Sequence, residues 1–232
     1  MTKRYFSETP IAGSRAVLVD QEAHHLKNVM RARPGEQITL FDGSGKEFVA
    51  AITEIGRSQV QLEVLGAEAV DRELPFQLTL AVALPKGDRS RWLIEKCTEL
   101  GVTKLVPLIT DRGVVQPAGN VLNRLQRAVI EASKQSGRNR LMEVAAPQPW
   151  SQLADGDFEQ TQRWVAHPED AAAAAPFAPH GDILIAIGPE GGFTDEEIQL
   201  GLAHDWRLLC LGPRILRIET AALAAATLAA GG

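Results

Sequence analysis

The sequence predicts an α/β protein: a mostly parallel sheet flanked by helices, preceded by a small β-rich module. Three observations point there. Beyond residue 75, short apolar runs alternate with amphipathic helical stretches. Before residue 70, short strand-like runs recur at the spacing of a small barrel. Between them, Asp71-Arg72-Glu73-Leu74-Pro75 is a polar linker that ends in a breaker. The predicted domains are residues 1–72 and 73–232, and a chain of 232 residues can hold one large domain or two modest ones.

In the first module, Arg15–Asp20 and Gln37–Asp42 are apolar runs. Asp42-Gly43-Ser44-Gly45 is a hairpin turn signal. Lys46–Ile55 and Gln59–Leu65 alternate as strands on either side of Gly56-Arg57-Ser58. Gln21–Met30 predicts a helix that stops before Pro34-Gly35. Lys3, Arg4, Lys27, Arg31 and Arg33 crowd into two stretches, with Tyr5 and Phe6 beside the first. That pattern suits either an ordinary charged surface or contact with RNA phosphates and bases. The adjacent His24 and His25 read as structural, since neighbouring positions do not share a helix face.

In the second domain, Leu78–Leu84 predicts a buried strand and Pro85-Lys86-Gly87-Asp88 a loop, with Asp88 as N-cap. Arg89–Leu100 predicts a helix with Trp92, Leu93 or Ile94, Cys97 and Leu100 towards one face, closed by Gly101. Lys104–Ile109 is the next strand. Asn120 caps a helix over Val121–Gln135 that Gly137 ends. Leu141–Val144 reads as a short strand, Pro149–Ala154 as a short helix and Gln162–Ala166 as a strand ending at His167-Pro168. Ala171–Ala175 is a loop or short helix, because Pro176 and Pro179 follow. Asp182–Ile187 and Leu208–Leu211 are buried parallel strands. Glu219–Ala230 is an Ala/Leu-rich helix whose small residues permit close packing.

Composition narrows the function. No run of about eighteen apolar residues exists, and Met1-Thr2-Lys3-Arg4-Tyr5 lacks a signal-peptide core, so a cytoplasmic protein without membrane contact is expected. Cys97 and Cys210 stand apart in apolar surroundings and read as buried thiols, with no metal-ligand spacing around them. The net charge of −5 places any nucleic-acid contact in local basic clusters.

Two loops follow the last two strands: Ile187-Gly188-Pro189-Glu190-Gly191-Gly192-Phe193, and Leu211-Gly212-Pro213-Arg214-Ile215-Leu216-Arg217-Ile218-Glu219-Thr220. In open α/β sheets, ligands sit beyond the carboxyl ends of strands. Gly191 and Gly192 permit positive φ and close approach of backbone to a ligand. Thr194 and Glu197 form a capping box that opens the next helix. A strand–turn–helix with a cap accounts for the first loop taken alone. A phosphate ligand is disfavoured: Asp195, Glu196 and Glu197 crowd the helix start, and neither phosphate-loop pattern is present. A nucleoside or a ligand bearing a cation suits the loop better.

Together the two loops resemble the RsmE family of SPOUT-class methyltransferases, which act on a uridine of small-subunit ribosomal RNA; the similarity extends over nearly the whole chain. The resemblance implies S-adenosylmethionine as methyl donor, 16S ribosomal RNA or the small ribosomal subunit as substrate, a trefoil knot, a homodimer and an N-terminal PUA-like barrel, to which His25–Arg31 and Phe41-Asp42-Gly43 correspond. It assigns donor binding to His167, Ile187, Gly188, Pro189, Gly191, Gly192, Leu211, Gly212, Ile215, Leu216, Thr220 and Ala221. It draws RNA contact towards Arg4, Lys27, Arg31, Lys86, Arg89, Asn139, Arg140 and Arg214. Gln135-Ser136-Gly137-Arg138-Asn139-Arg140 resembles a motif near the substrate, although cations at a helix C-terminus also simply complement its dipole.

Methylation of a uracil N3 requires that the nitrogen lose its proton and that the resulting anion be stabilised. Arg217, Arg138 and Arg214 are candidates for the second task. Glu219 is a candidate base, but a carboxylate beside arginines is held charged and is a poor one; it would then orient Arg217 or cap the last helix, and water would take the proton. The competing reading is an RNA-binding protein with a degenerate second domain.

Overall fold

In the computed structural model of the protein, residues 3–115, 119–156, 158, 160–168, 177 and 180–231 are described. The Ala171–Ala175 run lies outside the described residues. The chain forms two units: Met1–Glu73 with Ser133–Leu141, and Leu74–Ala132 with Met142–Gly232. Ser133–Leu141, placed in the second domain by the sequence reading, packs with the first unit.

The first unit holds strands β1 (Arg4–Phe6), β2 (Arg15–Val19), β3 (Gln37–Phe41), β4 (Lys46–Ile55) and β5 (Gln59–Ala69). They run in the order β1-β3-β4-β5-β2, with β1 parallel to β3 and the other pairs antiparallel. Two register shifts in the β4–β5 ladder, at Val49/Ala50 and Ile52/Glu54, bend and twist the sheet. The result is a curled sheet and not a closed barrel: among the described residues, the edge strands β1 and β2 share no ladder. Alternate residues face one core, including Tyr5, Leu18, Ile38, Leu40, Ile52 and Leu62.

The predicted helix over Gln21–Met30 is α1 (Asp20–His24) followed by a π-helical turn over His25–Val29. The turn inserts one extra residue, so that Met30 N–H donates to the His25 carbonyl at 3.0 Å. Leu26 stays buried in the core, while Lys27 and Arg31 point to solvent.

The second unit carries β6 (Leu78–Val82), β7 (Lys104–Ile109), β8 (Glu143–Val144), β9 (Gln148–Pro149), β10 (Thr161–Ala166), β11 (Asp182–Ile187) and β12 (Arg207–Leu209). All pair in parallel, in the order β12-β10-β11-β6-β7-β8, with β9 also on β7. The apolar runs of β6 and β11 are buried along nearly their whole length, as strands covered on both faces must be. The covering helices are α2 (Asp88–Glu99), α3 (Gly119–Ser136), α4 (Trp150–Ala154), α5 (Asp195–Ala203) and α6 (Ile218–Ala230).

Helix ends follow their local chemistry in part. α2 stops in a Schellman motif: Gly101 has φ +86, its N–H donates to the Thr98 carbonyl, and Val102 N–H donates to Cys97. Two expected caps fail. The N-cap of α2 is Gly87 and not Asp88, which is already helical. α3 starts at Gly119, which takes Asn120 inside the helix. Trp92 is 45% exposed, since the face of α2 that packs inward carries Ser90, Leu93, Ile94, Cys97 and Thr98. Burial pushes the Cys97 thiol up to about 12, which makes it inert as a nucleophile, whereas Cys210 is only half-buried. Among the described residues, no helix is long and apolar enough to cross a membrane, and no group of His, Cys, Asp or Glu could hold a metal.

Candidate active site

The two Gly/Pro loops follow β11 and β12, and β10 lies between those strands in the sheet. Three adjacent carboxyl ends therefore converge, and His167, one residue past β10, sits between the two loops. His167 N–H donates to the Leu209 carbonyl at 3.1 Å, fixing the chain where β10 leaves the sheet. A cavity of about 200 Å³ occupies this point. Its walls take Ala166 from the end of β10, His167 and Pro168 just beyond it, Ile187 from the end of β11, and Gly188, Pro189, Glu190, Gly191 and Gly192 from the first loop. The second loop and the start of α6 add Leu211, Gly212, Arg214, Ile215, Leu216, Ile218 and Ala221. Thr220 is the one residue of the predicted donor set outside this lining; it is exposed, because a helical residue between buried Glu219 and half-buried Ala221 points away from them.

The glycines have separable reasons. Gly192 (φ +69) and Gly212 (φ +104) take backbone conformations that side chains disfavour. Gly191 does not have positive φ; a Cβ there would meet the aliphatic part of Arg112 at 3.4 Å. A Cβ on Gly188 would lie 3.0 Å from the ring of buried Phe193.

Behind the first loop, the Thr194–Glu197 capping box is complete. Glu197 Oε2 accepts the Thr194 N–H at 2.8 Å, and Oε1 accepts the Asp111 N–H at 3.0 Å from the segment after β7. Trp150 Nε1 donates to the Glu197 carbonyl at 2.8 Å. The Arg112 guanidinium donates to the Gly191 carbonyl at 2.8 Å and to that of Phe193 at 3.3 Å. Asp111 and Arg112 escaped the sequence reading, though their place just beyond the end of β7 marked them as candidates.

Arg89, expected to contact RNA, bridges two carboxylates while its side chain stays 41% exposed. Its guanidinium is 3.3 Å from Glu190 Oε1 in the first loop and 3.6 Å from Glu219 Oε1 at the start of α6. It thereby ties the two walls of the cavity together. Glu219 is 7% exposed, and its Oε2 is buried without a hydrogen-bond partner among the described residues. Replacing Arg89 by Met leaves this carboxylate without its cation. The melting temperature is expected to fall by about 2–4 °C, the change roughly 1 kcal/mol produces in a chain of this size. Glu219→Gln in the same background should restore most of the lost stability, which scanning calorimetry measures.

The arginines divide. Arg214 is exposed and lines the cavity. Arg217 is exposed just beyond the lining, between Leu216 and Ile218 that belong to it. Arg138 lies in the first unit, 3% exposed, where it forms a two-pronged ion pair with Glu73; Nε lies 3.2 Å from Glu73 Oε1. It is not an open cation awaiting a substrate. Arg4 and Asn139 are likewise engaged: Arg4 pairs with Glu47 at 2.6 Å, bonds Asn139 and stacks over Phe41. Asn139 is buried and donates to the Val70 carbonyl at 2.9 Å. Burial works against the charge of Glu47, but hydrogen bonds from Arg72 and Arg4 outweigh it and hold the carboxyl below its usual range. Of the predicted RNA contacts, Lys27, Arg31, Arg140, Lys86 and Arg214 keep exposed side chains.

A methyl donor bearing a sulfonium fits this cavity. Its lining is apolar apart from loop backbone and a few polar side chains, and the helix start behind it carries Asp195, Glu196 and Glu197, which repel phosphates and tolerate a cation. The RNA methyltransferase domain family matches residues 72–230, and the RNA methyltransferase PUA domain family matches residues 18–65. A ribosomal RNA small subunit methyltransferase E of Synechocystis is 36% identical over 91% of this chain and 71% of its own. The chain belongs to the ribosomal RNA small subunit methyltransferase E family. The Bacillus subtilis member of that family is 33% identical over 96% of this chain and 91% of its own. A Neisseria gonorrhoeae member, solved bound to S-adenosyl methionine, is 34% identical with TM-score 0.90, covering 98% of this chain and 96% of that one. A Legionella pneumophila protein solved with bound cofactor SAM is 34% identical with TM-score 0.91, covering 100% of this chain and 98% of that one. The α/β fold, with its parallel sheet and curled PUA-like module, is thus the fold of this methyltransferase family.

Proposed function

We propose that the protein transfers a methyl group from S-adenosylmethionine to N3 of a specific uridine in 16S ribosomal RNA, acting in the cytoplasm as a homodimer with a knotted donor site. The observation that carries this reading is the convergence of both Gly/Pro loops and His167 on one cavity at three adjacent strand ends. When bound, the donor supplies a methyl carbon activated by a positively charged sulfur. Ile187, Leu211, Ile215 and Leu216 offer apolar walls for an adenine, and the backbone of Gly188, Gly192 and Gly212 offers polar groups for the rest.

The uracil N3 loses its proton and forms a bond to the methyl carbon as the carbon–sulfur bond breaks. Negative charge develops on the uracil carbonyls, and its stabilisation is assigned to Arg217 and Arg214, whose side chains are exposed. Glu219, buried beside Arg89, acts as a positioning residue for the second loop, and the proton passes to water. Holding base and methyl in line supplies up to roughly 7–11 kcal/mol of the barrier reduction.

The test is mass spectrometry of unmodified 16S ribosomal RNA and of small subunits after incubation with the protein and isotopically labelled donor. One labelled 3-methyluridine at a single position is the expected product. Label at carbon, at a ribose oxygen or in no nucleotide would refute the assignment.

A further inference from the structure

Beside the cavity, the second unit contains a groove of about 450 Å³ between the β6–α2 loop and α3. Lys86 and Arg91 line one side, and Arg124 and Arg127 the other. Glu131 is the one carboxylate among the lining residues, so four cations meet one anion in a chain whose net charge is −5. Arg124 and Arg127 stand one helical turn apart, with Cβ atoms about 5–6 Å from each other. Both are exposed, and like Lys86 they form no ion pair among the described residues, whereas Arg91 is paired with Glu95 at 2.8 Å. Leu125 and Ala128, beside them on α3, are buried and fix the helix face that turns these arginines outward.

The groove neighbours the donor cavity. A smaller concavity shares Pro189 and Glu190 with the cavity, and shares Lys86 and Val115 with the groove. Lys86 therefore borders both the groove and the concavity next to the first Gly/Pro loop. Clustered cations on an otherwise acidic protein focus a positive potential and attract polyanions.

We infer that this groove binds the sugar–phosphate backbone of the substrate RNA, flanking the nucleotide presented to the donor cavity, with Lys86, Arg124 and Arg127 as the phosphate-binding side chains. The inference rests on the proposed methyl transfer to RNA and adds a binding site on α3 to it. Backbone binding of this kind positions a strand and raises affinity without reading sequence.

The experiment measures binding of the full-length protein to a 16S ribosomal RNA transcript between about 50 and 200 mM salt, a range in which each neutralised phosphate has a large effect. The slope of log affinity against log salt should shrink by about 0.7–0.9 for each phosphate no longer neutralised, hence by roughly 1.5 for the Arg124→Gln/Arg127→Gln double variant. The Michaelis constant for RNA should rise about 10-fold or more, with kcat and donor affinity unchanged, in keeping with a fall in uniform binding. Arg207→Gln, at the opposite end of β12, is the control and should leave the slope as it is. An unchanged slope in the double variant would overturn the inference. So would a changed sedimentation coefficient with an unaltered slope, which would make the groove an interface between protein chains. If wild-type protein binds the transcript but transfers no methyl, the proposed function fails while the slope still decides the groove.

Discussion

Replacing Arg217 by Ala is expected to lower kcat for RNA methylation by about 10²–10³-fold, the usual consequence of removing one donor aimed at a developing anion. Stability should be unaffected. The Arg217 side chain is exposed and forms no ion pair among the described residues, and its structural duty is carried by its backbone: the carbonyl accepts the Ala221 N–H at 2.9 Å and starts α6. Alanine retains that bond. S-adenosylmethionine affinity should also hold, since Arg217 lies outside the cavity lining. Arg217→Lys keeps the charge but loses the planar fork, so partial recovery of turnover would mark electrostatic stabilisation, and none would mark bidentate recognition of the uracil. Single-turnover rates at saturating RNA and donor separate these outcomes from weaker binding. Full activity of Arg217→Ala would transfer the role to Arg214, the arginine in the cavity wall.

What could be read from the sequence was local or periodic. Buried parallel strands are continuous apolar runs, so β6, β7 and β11 were visible within a residue or two. The Thr194–Glu197 box and Gly101 work within one turn of helix and were visible for the same reason. The two loops were legible as a motif pair. Their relative placement was not: that β10 lies between β11 and β12 is a matter of sheet order, and no stretch of sequence encodes it locally. Burial misled in the same manner. Trp92 looks like a core residue, but which face of α2 packs depends on what lies under it. The π-helical turn at His25–Val29 shifts the helical phase by one residue, and no propensity distinguishes it from ordinary helix. That Arg89 pairs with Glu190 and Glu219, 101 and 130 positions away, is likewise a product of the fold and not of any local pattern.

Arg138 shows most sharply how an arginine in a loop motif can be claimed by structure, and the claim has a measurable size. Arg138→Gln should destabilise the protein by about 3–5 kcal/mol, because it removes one partner of a buried ion pair and leaves the other uncompensated. Glu73 would keep a carboxylate that is only 17% exposed, with its two-pronged partner gone. At about 2–4 °C per kcal/mol, the melting temperature of the transition that includes the first unit should drop by roughly 6–20 °C. The pair, not the charge of Arg138 alone, accounts for the cost, so adding Glu73→Gln should return most of it: two amides of similar shape can bond each other, and neither strands a charge. A catalytic Arg138 makes the opposite prediction. In that case Arg138→Gln melts near the wild-type temperature, loses turnover as Arg217→Ala does, and gains nothing from Glu73→Gln. Scanning calorimetry on the two single variants and the double, with turnover measured well below each midpoint, decides between an arginine that holds Ser133–Leu141 to the rest of the first unit and one that meets the substrate.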